Sequence, residues 1–239
     1  MDQVDITQTP SPNEKGGLSF RGLIEVFYQP TSFFEELKDS PKVLVPYLAL
    51  AVVCGLFFYL ATDFIVAMQM ELPEVQEAME AQRIPLEQMK TIMWYQTGIG
   101  GIIALLLAPL LIAGLGLFWN NFVFGLKSSF KQVLSLVLYG EFLYMIGAMV
   151  HVPIMFAKDT IMVTFSPAVL VADQGMTSIW FVLLDKFSVF HIWEIVVVGI
   201  GLSVLCEVPR NKGYLLAVLS VGGLSVLHVI TTGIGMLFR

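Results

Sequence analysis

The stretch Thr91–Leu126, TIMWYQTGIGGIIALLLAPLLIAGLGLFWNNFVFGL, holds no charged side chain. An α-helix needs about 20 apolar residues to cross ~30 Å of hydrocarbon. The stretch therefore supplies one tilted span with interfacial ends, since two spans would place a turn inside lipid. Pro109 at its middle predicts a kink, not a break. Working outward, Val43–Ala61 is an apolar run on its N-terminal side. On the other side come Gln132–Ala157 with Glu141 inside it, Phe187–Cys206 with His191 and Glu194, and Tyr214–Phe238. Five spans at about residues 43–65, 95–122, 132–157, 187–207 and 213–238 predict an all-α, polytopic integral membrane protein. Thr160–Leu184 is apolar in places but broken by Pro167, Asp173 and Gly175, and reads as a re-entrant or surface loop.

Composition leads to the same class. The 239 residues are 56% apolar and only 13% charged, and mean hydropathy is +0.79. Soluble domains carry about 25% charged residues, so a water-facing surface could not be covered. Net charge is −6, without a basic patch, so nucleic acid has no electrostatic footprint as a partner. Cys54 and Cys206 lie in separate apolar runs and read as small buried hydrophobes. The twelve methionines form no regular cluster and read as packing residues rather than copper ligands.

The chain divides into residues 1–17, a polar tail expected to be disordered, 18–42, short interfacial helices, and 43–239, the membrane domain. No cleavable signal peptide is read in MDQVDITQTPSPNEK. With the N-terminus inside, the inner segments hold Lys15, Arg21, Lys38, Lys42, Lys127, Lys131, Arg210 and Lys212. The outer ones hold Arg83, Lys90, Lys158, Lys186 and Arg239. The cation bias predicts a cytoplasmic N-terminus and an outside C-terminus. Ser32-Phe33-Phe34-Glu35 after Pro30 reads as a capping box. Phe27, Phe33, Phe34 and Leu37 then form an apolar face of cytoplasmic helices, either an interfacial anchor or a docking face for a protein partner. Glu74–Met93 reads as an acidic amphipathic segment outside, broken near Pro85.

Ionisable groups inside spans carry the functional signal, because a charge at mid-bilayer costs about 2.5–3.5 kcal/mol on insertion scales. Glu141 and Glu194 fall near the middle of spans three and four. His191 is one turn outward of Glu194 on the same helical face. His151 and His228 fall in the outer halves of spans three and five, and Asp185 at the outer end of span four. These groups could converge on one outward-opening cavity. Three readings stay open: a divalent-metal site using His191 and Glu194, a proton-linked cavity of a small transporter or channel, and plain hydrogen-bonded ties between helices. No nucleotide loop, catalytic triad or cofactor motif is present, and Gly98-Ile-Gly100-Gly101 lacks the strand and spacing of a dinucleotide fingerprint. The other intramembrane glycines predict close helix packing.

Three motifs also carry a resemblance. Phe27-Tyr-Gln-Pro-Thr-Ser-Phe-Phe-Glu-Glu-Leu resembles the Pro…Phe…Glu-Leu lead-in to the first span of prokaryotic Yip-family proteins. Phe124-Gly-Leu-Lys-Ser-Ser-Phe-Lys-Gln-Val-Leu-Ser-Leu is similar to that family's second cytoplasmic turn, and Leu184-Asp-Lys-Phe-Ser-Val-Phe-His-Ile-Trp, followed by Gly199 and Gly201, to the opening of its fourth span. The resemblance covers most of the chain from about Phe20. It implies five spans and a cytosolic N-terminus but supplies no biochemical role; the chain itself reads as a non-enzymatic membrane organiser or adaptor binding lipids, protein partners or a second copy of the chain. Eukaryotic members act in vesicle traffic through Rab-type GTPases, but their Asp-Leu-Tyr-Gly-Pro motif is absent here. That points to a prokaryotic relative in the cell (inner) membrane.

Overall fold

The computed structural model describes residues 21–176 and 178–237. The expected polar tail, Phe20 and Arg239 lie outside the described residues. Among the described residues the chain is helical: α1 (Arg21–Tyr28), α2 (Pro30–Asp39), α3 (Leu44–Met70), α4 (Pro73–Gln82), α5 (Leu86–Val123), α6 (Phe130–Lys158), α7 (Ile179–Asp185), α8 (Val189–Leu205) and α9 (Arg210–Gly235), with a 3₁₀ turn at Pro167–Gln174. Four helices (α3, α5, α6 and α9) are long and apolar enough to cross a membrane. The pair α7 and α8, bent by 46°, is long and apolar enough only when taken together, as a broken span or a re-entrant loop.

The helix α6 is the central one: 67% of its apolar window is enclosed by protein, against 22–28% for the other three long helices. Its start is fixed by a reciprocal cap. The Gln132 amide donates to Ser129 Oγ (3.3 Å) and the Ser129 amide donates to Gln132 Oε1 (3.0 Å). From the same turn Gln132 Nε2 donates to Lys38 O and Ser135 Oγ to Lys42 O, which fastens the α2–α3 connection to α6. The start of α3 therefore lies beside the start of α6. Phe64 of α3 meets Phe156 of α6 at the far end, with ring centroids 4.5 Å apart.

Several boundaries differ from expectation. The helix α5 begins at Leu86, so Leu86–Met93, expected in an outside segment, is the first part of a spanning helix. At 38 residues and ~1.5 Å rise it is about 57 Å long, more than a bilayer needs, and its charged first turns extend past the apolar part. It runs through Pro109 without a break and widens into π-helical turns at Tyr95–Gly100 and Phe118–Val123. The expected loop 160–184 contains the apolar helix α7, too short at seven residues to register as a span alone. Ser32 does not cap α2. The helix starts at Pro30 behind Gln29, and Ser32 Oγ donates back to Gln29 O at 3.3 Å.

The α8–α9 crossing is the tightest. A Cβ on Gly213 would lie 2.4 Å from the Gly199 carbonyl oxygen and 2.9 Å from the Ser203 amide nitrogen. Backbone meets backbone there, as small residues allow between membrane helices.

Candidate functional site

Depth along the helices brings the polar groups together. Glu141 lies eleven residues beyond Phe130 on α6, and Glu194 eleven residues before Leu205 on α8. With the two ends side by side, both carboxylates sit at one level, about 16 Å from the N-terminal end. A further turn out, His191 on α8 and Ser225 on α9 share the next level.

Ser188 starts α8, its hydroxyl accepting the His191 amide at 3.2 Å, which sets the imidazole over the following turn. His191 Nδ1 is 3.0 Å from Glu194 Oε2, and His191 Nε2 is 2.9 Å from Ser225 Oγ. With the carboxylate as acceptor, Nδ1–H donates to Glu194 and Nε2 accepts from the Ser225 hydroxyl. Glu194 is 2% exposed and its second oxygen, Oε1, has no partner. Glu141 is 5% exposed, and among the described residues nothing is hydrogen-bonded to its carboxylate.

These groups line a partly open cavity of about 190 Å³ bordered by α5, α6, the α7–α8 break, α8 and α9. Glu141, Tyr144, His191 and Glu194 form its polar side, Leu105, Ala108, Ile112 and Leu224 its apolar side, and Asp185, Lys186 and the exposed His228 lie toward the end where α7 meets α8. Five of the six intramembrane candidates (Glu141, Asp185, His191, Glu194 and His228) thus share one cavity. His151 does not. Its Nδ1 faces the Gly147 carbonyl at 2.8 Å, its ring packs against Phe165, and it lines a neighbouring cavity of about 220 Å³. Asp185 touches both cavities and accepts from Thr164 Oγ1 (2.9 Å) and Ser166 Oγ (3.2 Å), tying the 160–166 segment to the helix break.

Among the described residues no three His, Cys, Asp or Glu side chains come together as a metal-ligand set. His191 and Glu194 are engaged with each other and with Ser225, so the expected divalent-metal pair lacks further ligands. Both cysteines are free.

Ser225 and Tyr144 carry no signal in the sequence, and Lys186 carries only its charge at the outer end and its place in the Leu184–Trp193 motif. A lone serine in an apolar helix is indistinguishable from packing, although Ser225 precedes His228 by three residues and so shares its face.

The aromatic face of the N-terminal helices, expected as either an interfacial anchor or a docking face, is covered by the chain's own bundle. Phe33, Phe34 and Leu37 are buried. Phe33 stands edge-on to Tyr139 at 4.6 Å, Phe34 lies against Gly201 of α8, and half-buried Phe27 meets Trp193 at 5.5 Å. An amphipathic pattern marks an apolar face but not its occupant, and here the occupants are α6 and α8.

Four long apolar helices and one bent helix pair, with a small polar cavity among all of them but α3, define a polytopic membrane protein. The Yip1 domain profile matches residues 24–232, and the chain belongs to that family. It is 27% identical over 221 residues to the membrane protein YknW of Bacillus subtilis (strain 168), covering 87% of this chain and 88% of that protein. No solved structure matches it.

Proposed function

We propose that this Yip1-domain protein acts without covalent chemistry, as a membrane organiser that binds a membrane-resident ligand, the polar end of which enters the cavity between α5, α6, α8 and α9. One observation carries the reading: a nine-tenths-buried carboxylate, Glu141, lines the cavity without a hydrogen-bond partner among the described residues, together with aliphatic Leu105, Ala108 and Ile112. Such a group in hydrocarbon is costly unless something pairs with it. A lining that is polar on one side and aliphatic on the other suits an amphiphile.

The Ser225–His191–Glu194 chain has the connectivity of an acid–base–nucleophile relay, yet Ser225 lies within α9. The backbone amides around it are committed to the helix, so it lacks the paired N–H donors that stabilise an acyl-transfer oxyanion. The chain acts as a polar tie between α8 and α9. The same run of exchangeable protons favours a second reading, a small proton-linked transporter.

Orientation follows from cations. Arg21, Lys38, Lys42, Lys127, Lys131, Arg210 and Lys212 lie at the end bearing α1 and α2, whereas Arg83, Lys90, Lys158 and Lys186 lie at the other. This supports a cytoplasmic N-terminus in a bacterial membrane. Proteoliposomes carrying a pH gradient and a pH dye separate the two readings. The binding reading expects the same decay with wild type and Glu194→Gln. Wild-type-dependent decay that Glu194→Gln abolishes would overturn it in favour of transport.

A further inference from the structure

We infer that the cavity between α5, α6, α8 and α9 is a site for a primary alkylammonium group, held by Glu141 and Glu194 with its carbon chain along Leu105, Ala108 and Ile112. The inference rests on the binding reading above and names the chemistry of its ligand.

Three features select this class. The first is charge. Two carboxylates stand at one level on facing helices, both nine-tenths buried. Glu194 Oε2 is taken by His191, Glu194 Oε1 is enclosed without a partner, and Glu141 lines the same cavity with no hydrogen bond to its carboxylate among the described residues. The missing partner is a hydrogen-bond donor carrying positive charge, since ionised donors make the strongest bonds to carboxylate. The second is size. About 190 Å³ far exceeds what one bare ion needs, while the share of one water in the liquid is about 30 Å³. The third is the opposite wall. A hydrated metal ion has no use for Leu105, Ala108 and Ile112, and among the described residues no three-ligand metal set exists. The methylenes of an alkylammonium do use that wall.

Gly140 permits the arrangement. A Cβ there would lie 2.5 Å from Val198 Cγ2 and 3.5 Å from Glu194 Cγ, so only glycine lets α8 bring Glu194 against α6 beside Glu141. At the other end of the cavity Lys186 forms no ion pair among the described residues and is placed to meet an anionic group attached to the same ligand.

Two sources offer this chemistry: the headgroup of phosphatidylethanolamine, or a free amine such as ethanolamine. The full-length protein is placed in nanodiscs of phosphatidylglycerol doped with either phosphatidylethanolamine or phosphatidylcholine, and bound lipid is counted by native mass spectrometry, with and without free ethanolamine. Retention of phosphatidylethanolamine at least tenfold above phosphatidylcholine, lost in Glu141→Gln, supports the site, because the quaternary ammonium has no N–H to donate. Competition by free ethanolamine assigns the site to the free amine as well, and retention without competition assigns it to the lipid. Ala108→Phe fills the cavity while leaving both carboxylates in place, so loss of binding there supports the site even where Glu141→Gln folds poorly. Lipid held by wild type without headgroup preference but lost in Ala108→Phe overturns the ammonium site and leaves the binding reading standing, whereas lipid held equally by wild type and Ala108→Phe overturns both. A chain that holds neither lipid nor ethanolamine overturns both.

Discussion

The imidazole of His191 on α8 lies 2.9 Å from the hydroxyl of Ser225 on α9, and this is a polar tie between two membrane helices. Hydrogen bonds between membrane helices average about 0.6 kcal/mol, so Ser225→Ala should lower stability by about that amount. His191→Ala should cost more, about 1–3 kcal/mol, because it also strips Glu194 Oε2 of its partner in a buried setting. Unfolding in mixed micelles checks the order. Equal losses would mean that the Glu194 contact contributes nothing.

The same geometry invites a test for catalysis. A fluorophosphonate probe labels serines activated by histidine beside an oxyanion site. No adduct is expected on Ser225, given its place within α9. A stoichiometric adduct that disappears in His191→Ala would contradict the non-enzymatic reading.

Helix packing makes a paired prediction. At Gly213 a methyl group meets the backbone of α8, which cannot shift alone, so Gly213→Ala should destabilise by about 1–3 kcal/mol through overpacking. At Gly55 of α3 nothing lies within 4 Å of the corresponding position. Gly55→Ala should be neutral or slightly stabilising through helix propensity. Thermal unfolding of the two variants in one detergent decides it, and equal losses would mean the α8–α9 approach is looser than described.

The ion pair between Lys38 of α2 and Glu207, just beyond α8, sets a pH dependence at the N-terminal end. Lys38 holds Glu207 below its ordinary 4.5, and Glu207 holds Lys38 above its ordinary 10.5. A lowered carboxylate adds stability that is present above 4.5 and lost as pH falls through its lowered value. A raised amine adds stability that is present below 10.5 and lost as pH rises through its raised value. The contribution is therefore full between those limits. Both groups reach solvent, so the effect is small and salt-screened. Hydrogen exchange of α2 should quicken modestly in Glu207→Gln at neutral pH and low salt, and no longer differ from wild type in high salt. A difference that persists in high salt would contradict a screened surface pair.

Much of the fold was legible because lipid imposes a simple requirement: long runs without charge. Thr91–Leu126 and Val43–Ala61 meet it without help from tertiary contacts. Span four at 187–207 coincides with α8, but the seven-residue helix α7, set at 46° to it across a break at Lys186, is not legible in the sequence. Neither hydropathy nor periodicity reports such a division. The charged first turns of α5 were likewise assigned outside because charge marks the end of hydrocarbon, not the end of a helix. In the site, Glu141 and Glu194 stood out because their burial is expensive. Ser225 did not, because a hydroxyl in an apolar helix costs little by itself and gains its role only from His191 across the crossing. Phe33 and Phe34 gave a clear apolar face, but nothing in their spacing distinguishes lipid, a partner or the chain's own α6 and α8.

The central claim is that the cavity around Glu141 and Glu194 holds a ligand from the membrane. Native mass spectrometry of the full-length protein, extracted in mild detergent from the membrane in which it is made, measures this directly. The account predicts wild type carrying one bound lipid or amine that is absent from Ala108→Phe, with both proteins eluting alike on gel filtration. Bare wild-type protein, or the same bound mass in both, would contradict it.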